Sequence, residues 1–193
     1  MKITRFFFAA LLLLTLQAAY AQQLYKCSAT KSFWIIEKDN SFFTVGIPGN
    51  VKETDKKNII AVDSFALQYV IVEKKHFIEE DSSGMTPLIK YALNESEYFS
   101  GVYNHKVNVN FQKAEVKSHD VLIWFFELPS HVSQGVKNQV FASMLSGDKI
   151  FGLAAPQFPG QELEDVKNLL VDVIITLKRD EVKIDAAKLC SER

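Results

Sequence analysis

Residues that commonly carry chemistry are sparse in this chain of 193 residues. It has four histidines, His76, His105, His119 and His131, and none lies within four residues of another. No H-E-x-x-H pattern therefore puts two imidazoles on one helical face, as a zinc protease requires. A metal site would need these scattered rings to converge in space, and their neighbours Lys106, Asp120 and Ser130 suit single loop groups instead. Ser130 and His131 are adjacent, so they cannot face one another as nucleophile and base. The sequence contains no G-x-S-x-G elbow, phosphate-binding loop or G-x-G-x-x-G fingerprint. Glu79-Glu80-Asp81 is a run of neighbouring charges in a Ser/Gly-rich turn, which solvent normally covers. Asp81-Ser82-Ser83-Gly84 is a fragment of a calcium loop without its spaced glutamate. Asn94-Glu95-Ser96 spells a glycosylation sequon inside a predicted helix. No catalytic, cofactor-binding or metal-binding residue is expected from these patterns.

The two cysteines have a different meaning. Cys27 and Cys190 lie near opposite ends of the chain, and domain termini often meet at the surface. A disulfide between them is expected if the protein reaches an oxidising compartment. Chain entropy puts the upper bound for closing so long a loop at about 4–5 kcal/mol. The alternative is two unrelated thiols. There is no C-x-x-C to suggest redox catalysis or metal ligation.

The start of the chain supplies the compartment. Lys2 and Arg5 precede the apolar run Phe6 to Leu16, and Ala19-Tyr20-Ala21 offers a small-x-small cleavage site. The run is too short for a membrane span, which needs about 20 apolar residues. Residues 1–21 are expected to be a signal peptide cleaved after Ala21, leaving 22–193 as one domain in the periplasm or medium. Lys26 and its neighbours lack the small residues of a lipoprotein site. The whole chain has a net charge of −1, and loss of Lys2 and Arg5 leaves −3. That balance argues against nucleic acid as a partner. With 48% hydrophobic residues the chain can build a core, and its mature part has no membrane-span pattern.

Any site must be held by the elements that follow. Residues 22–32 read as a polar tethered arm. Phe33–Ile36 and Phe42–Ile47 predict a hairpin turning through 37–41, and Pro48-Gly49-Asn50 ends it. A charged loop over 52–57 and a short strand over 59–62 come next. Phe65 to Lys74 alternates, with Leu67, Tyr69 and Ile71 on one face and Gln68 opposite. Thr86-Pro87 is expected to open a helix that stops near Gly101. Val107 to Gln112 predicts a half-buried strand, and Val121 to Phe126 a strand covered on both faces. Val136–Leu145 and Lys149–Ala154 form a second hairpin across Ser146-Gly147-Asp148. Leu163, Val166, Leu169, Leu170, Val173, Ile174 and Leu177 mark the apolar stripe of a final helix, with Lys178-Arg179 in its last turn. The fold class expected is α+β, an antiparallel sheet flanked by α-helices in an αβα sandwich. The strand aromatics Trp34, Phe42, Phe43, Tyr69, Trp124, Phe125 and Phe126 are read as core in preference to a ligand groove.

Phe42-Phe43-Thr44-Val45-Gly46-Ile47-Pro48-Gly49-Asn50, the closing hairpin and the terminal amphipathic helix resemble the PsbP-like superfamily. That group holds extrinsic photosystem subunits, Ran-binding relatives and bacterial exported proteins. The resemblance covers about residues 33–178, leaving a C-terminal tail of 179–193, and the cysteine pair lies outside its pattern. It implies a sheet between helices and a non-enzymatic accessory or binding role, with no catalytic residue to carry over. The function expected is that of an exported, soluble binding or accessory protein of the bacterial envelope, with an envelope protein or a small apolar ligand as partner and no cofactor. Loops Pro48–Lys57 and Ala155–Gly160 are its candidate contact surfaces. An envelope structural or toxin-neutralising role has the same sequence features. The alternative class is a small exported hydrolase in which His105, His119 or His131 meets a serine or carboxylate only in three dimensions.

Overall fold

The alternation of β6 (Phe65–Glu73) divides the molecule into layers. Leu67, Tyr69 and Ile71 enter one core, while Ala66, Gln68 and Val70 face the opposite side. The computed structural model describes residues 21–78, 83–114, 116 and 119–191. The expected signal peptide up to residue 20 and the run Glu79-Glu80-Asp81 lie outside the described residues.

β6 belongs to a seven-stranded sheet. Its order is β4 (Val51–Glu53), β5 (Ile59–Val62), β6, β10 (Lys149–Gln157), β9 (Asn138–Ser146), β8 (Val121–Glu127) and β7 (Asn110–Ala114). A four-stranded sheet runs β1 (Ala21–Lys26), β2 (Lys31–Lys38), β3 (Ser41–Pro48) and β11 (Lys178–Asp180). Every described pairing is antiparallel. The predicted hairpin 33–47 forms as β2–β3, with Asp39 (φ 51°) and Asn40 (φ 62°) supplying the two left-handed residues of its tight turn. The second hairpin forms as β9–β10 around Gly147 (φ 62°) and Asp148.

One face of the larger sheet packs against α2 (Leu163–Ile174) and the smaller sheet. Val166, Leu170, Val173 and Ile174 join Trp34, Phe43, Val45, Phe151 and Leu153 in that core. The other face carries α1 (Met85–Tyr103), which packs Leu88, Tyr91 and Ala92 with Leu122, Trp124, Phe126 and Phe141. Helices thus cover both faces, and the fold is α+β with the αβα layering expected from sequence. Trp124 stacks on Phe141 with ring centroids 3.7 Å apart, and its indole N–H donates to Ser143 Oγ at 3.2 Å.

Several local expectations change. The flanking sheet is a second layer that the single-sheet reading lacked. Its β1 occupies residues read as a tethered arm, because Ala21–Lys26 completes an edge of β2 in the register Leu24↔Trp34. At the opposite edge, Lys178-Arg179 leave the helix and pair with Thr44 and Phe43 as β11. The helix stops at Ile174 because Thr176 turns the chain: its Oγ1 donates to Val173 O at 2.6 Å and accepts from Gly46 N at 2.7 Å. α1 starts at Met85 after Gly84 (φ 65°), so Thr86 is helical and is not its cap. It runs beyond Gly101 and closes on Asn104 in the left-handed conformation. β7 begins only at Asn110, and its residues up to Lys113 are exposed, because it is the sheet edge. Val107, expected in that strand, is buried in the α1 core instead, and its N–H donates to Ser100 Oγ at 2.9 Å.

The tail is anchored at two points. Cys190, in α3 (Ala186–Ser191), is bonded to Cys27 just beyond β1, with Cα atoms 5.4 Å apart. Charged groups also clasp the two sheets. Lys149, with a side chain only 6% exposed, pairs with Glu73 on β6 and with Asp39 in the β2–β3 turn, at 3.1 Å for the latter. Arg179 of β11 donates to Asp148, to Ser146 O and to Ser41 Oγ.

Candidate functional site

α1 lies across the larger sheet without sealing it. Its stripe Tyr91, Glu95, Phe99, Val102 and Tyr103 faces Ala66, Gln68 and Val70 of β6 and Phe141 of β9 across a groove of about 470 Å³. That volume falls within the 300–1,000 Å³ typical of small-molecule sites. The floor is smooth because β6 and β10 carry small residues there, Ala66 and Ala154.

Local hydrogen bonds fix the rims. Thr54 Oγ1 donates to Ile59 O at 2.8 Å and accepts from Lys56 N at 3.2 Å, ordering the Thr54–Lys56 turn. Gln161 Oε1 accepts from Phe158 N at 2.8 Å, and its Nε2 donates to Ser64 O at 2.8 Å. This ties the turn bearing Phe158 to the start of β6. The third rim follows β8, where Val132 N donates to Pro129 O at 2.9 Å and Val136 N to Ser133 O at 2.7 Å. Both segments singled out from sequence reach the groove, the first through Thr54–Lys56; the second, whose Ala155–Gln157 belong to β10 rather than to a loop, through Pro156 and Phe158.

Glu95 is the chemical exception in an otherwise apolar helix stripe. Its carboxylate is half-buried and has no ion pair or hydrogen bond among the described residues. Burial pushes its pKa up. The Tyr91 hydroxyl is pushed well above its ordinary range by burial first and then by the charge of Glu95. Tyr103 is raised by burial and by Tyr98. Taking a carboxylate partly out of water without a partner is unfavourable.

No family model matches the sequence, and no curated protein matches it. Among the solved structures similar to this chain, one covers most of its length. It is the solution structure of cyanobacterial PsbP (CyanoP) from Synechocystis sp. PCC 6803. The likeness has a TM-score of 0.46 and 9% sequence identity, and it covers 84% of this chain and 93% of that one.

The residues weighed from sequence are distributed elsewhere. Trp34, Phe43 and Tyr69 are core, as are Trp124 and Phe126. Phe141 of β9 and the α1 aromatics, which sequence reading did not single out, line the groove. The available signal was Glu95, a carboxylate with aromatic residues four before and three and four after it on one helix. His105 and His131 do approach, with ring centroids 6.4 Å apart near the end of α1. His131 Nε2 contacts Tyr103 O at 3.0 Å. Among the described residues, neither ring is hydrogen-bonded to a serine hydroxyl or carboxylate, as the hydrolase alternative requires. His119 precedes β8, and His76 packs edge-on against Phe77. No group of three or more metal-ligating side chains occurs among the described residues. No described helix is long and apolar enough to cross a membrane.

Proposed function

We propose that the chain is an exported, non-enzymatic binding protein of the bacterial envelope that holds a small apolar ligand beneath α1. The groove is the observation that carries this reading: about 470 Å³, concave, lined mostly by apolar and aromatic side chains, with ordered rims. Between a protein and a small molecule as partner, a concave site of this volume favours the small molecule.

Export is supported by the leader pattern at residues 2–21 and by the Cys27–Cys190 bond, which suits an oxidising compartment. Cleavage after Ala21 would leave Gln22 at the head of β1. There its Oε1 accepts the indole N–H of buried Trp34 at 3.1 Å. Such a cut preserves the strand's role and removes only the leader.

The test uses N-phenyl-1-naphthylamine, an uncharged dye that fluoresces in apolar sites. Wild-type protein is expected to bind it saturably. Ala66→Trp, which fills the floor, and Val102→Trp, which fills the groove from the exposed side of α1, should both abolish binding while retaining native circular dichroism. No saturable binding, or equal binding by folded filled variants, overturns the reading. Terminal sequencing of protein from a periplasmic fraction checks export: the expected first residue is Gln22, and an intact leader overturns it.

A further inference from the structure

Glu95 narrows the ligand class, given that the groove is a ligand site. On α1 its helical neighbours at i−4, i+3 and i+4 are Tyr91, Tyr98 and Phe99. All three line the groove with it. A helix needing only to cover a sheet would place an apolar residue at that position. This helix places a carboxylate there, half-buried and without an ion pair or hydrogen bond among the described residues. Aromatic faces are negative and attract cations, most strongly where water is excluded. A carboxylate among such rings meets the same class of group from another side.

We propose that the ligand is an amphiphile with a cationic alkylammonium head, which pairs with Glu95 while its hydrocarbon body lies along the sheet floor. The floor of Ala66, Val70 and Ala154 offers an apolar track without a charged side chain. Among the described residues, Lys56 is the only basic one lining the groove, and it sits in the rim turn beside Asp55. The two carboxylates therefore outnumber it, and a cationic head is favoured over an anionic one. Burial already raises the Glu95 pKa, and an ammonium partner would reverse that by stabilising the charged form.

The experiment is displacement of bound N-phenyl-1-naphthylamine by three ten-carbon amphiphiles below their micellar concentrations: decyltrimethylammonium, decanol and decanoate. Wild-type protein is expected to prefer the cation over the alcohol by about tenfold, the scale of a partly desolvated ion pair with ring contacts. Decanoate should be the weakest. Glu95→Gln keeps the shape of the side chain and is expected to lose the preference for the cation over decanol. Equal displacement by cation and anion in the wild type, or an undiminished cation preference in Glu95→Gln, overturns the cationic head and leaves the groove standing. Failure of the dye and of all three amphiphiles to bind overturns the groove itself and the inference with it.

Discussion

The two faces of the seven-stranded sheet are built from the same strands and end up in different states. On one face, α2 and a whole second sheet close over Phe151, Leu153, Val140 and Ala142, and these residues are almost completely buried. On the other face a single helix stands over Ala154, Phe141 and Val70 and leaves a groove. Phe151 and Ala154 are three residues apart on one strand, yet one is sealed in the closed core while the other, buried in the α1 core, also lines the groove. The contrast shows what decides whether a sheet face becomes core or site. The number of layers laid over it matters more than the hydrophobicity of the strand.

The comparison is tested most severely by truncation on each face. Phe151 is fully buried and stacks on Phe43 with centroids 6.0 Å apart. Phe151→Ala should lower unfolding stability by about 3–5 kcal/mol, because the closed core cannot collapse around the void. Phe99→Ala enlarges a space that already exists, so it should cost about 1–2 kcal/mol, below the range for a closed core. Urea denaturation monitored by tryptophan fluorescence measures both. Equal losses would mean that the α1 face is packed as tightly as the other and that the groove is not a true opening.

The disulfide separates the faces in a second way. It ties the chain just beyond β1 to α3, so it steadies the smaller sheet and the tail over the closed face. Replacing both cysteines by serine should lower stability by about 2–4 kcal/mol. Dye binding by the folded variant should remain unchanged, since neither cysteine lines the groove. A lost groove with retained secondary structure would show that the two faces are coupled through the sheet.

Legibility in the sequence followed the same division. The hairpins β2–β3 and β9–β10 and the stripe of α2 could be read because local turn chemistry and periodicity agree with the tertiary contacts. The edge strands β1 and β11 could not, since Gln22-Gln23 and Lys178-Arg179 have no strand pattern of their own and gain one only from the neighbouring edge. The apparent strand at Val107 failed for a related reason: alternation shows that a side chain is buried, and α1 provided a burial place outside the sheet. The groove was half legible. Its two rim segments stood out as Pro- and Gly-bearing stretches beside apolar strands. Glu95 did not, because a glutamate in a helix normally signals solvent, and only the position of the sheet shows that this one turns inward.

The smallest effects contrast two carboxylates, one in the clasp beside the closed face and one in the groove. Asp148 is held below its ordinary pKa, first by the Arg179 hydrogen bond. Its contribution is present above the unfolded-state value, about 3.9, and is lost as pH falls through the folded value. Its side chain is 62% exposed, so solvent screening keeps the cost of Asp148→Asn at neutral pH to about 0.5–1 kcal/mol. Glu95 has the opposite sign. Its pKa is raised by burial, so the folded state binds the proton more tightly than the unfolded one. The resulting penalty is complete above the folded value and disappears below the unfolded value, about 4.3. Glu95→Gln should therefore stabilise the ligand-free protein at pH 7 by about 0.5 kcal/mol at most, and the gain should vanish under acid. Denaturation midpoints of wild type and both variants between pH 3 and 7 read the two signs directly. A Glu95→Gln variant that is less stable at neutral pH would mean that the carboxylate has a structural partner in the folded chain. A more stable one would show that the fold tolerates this charge at its own expense, as expected of a group placed for a ligand.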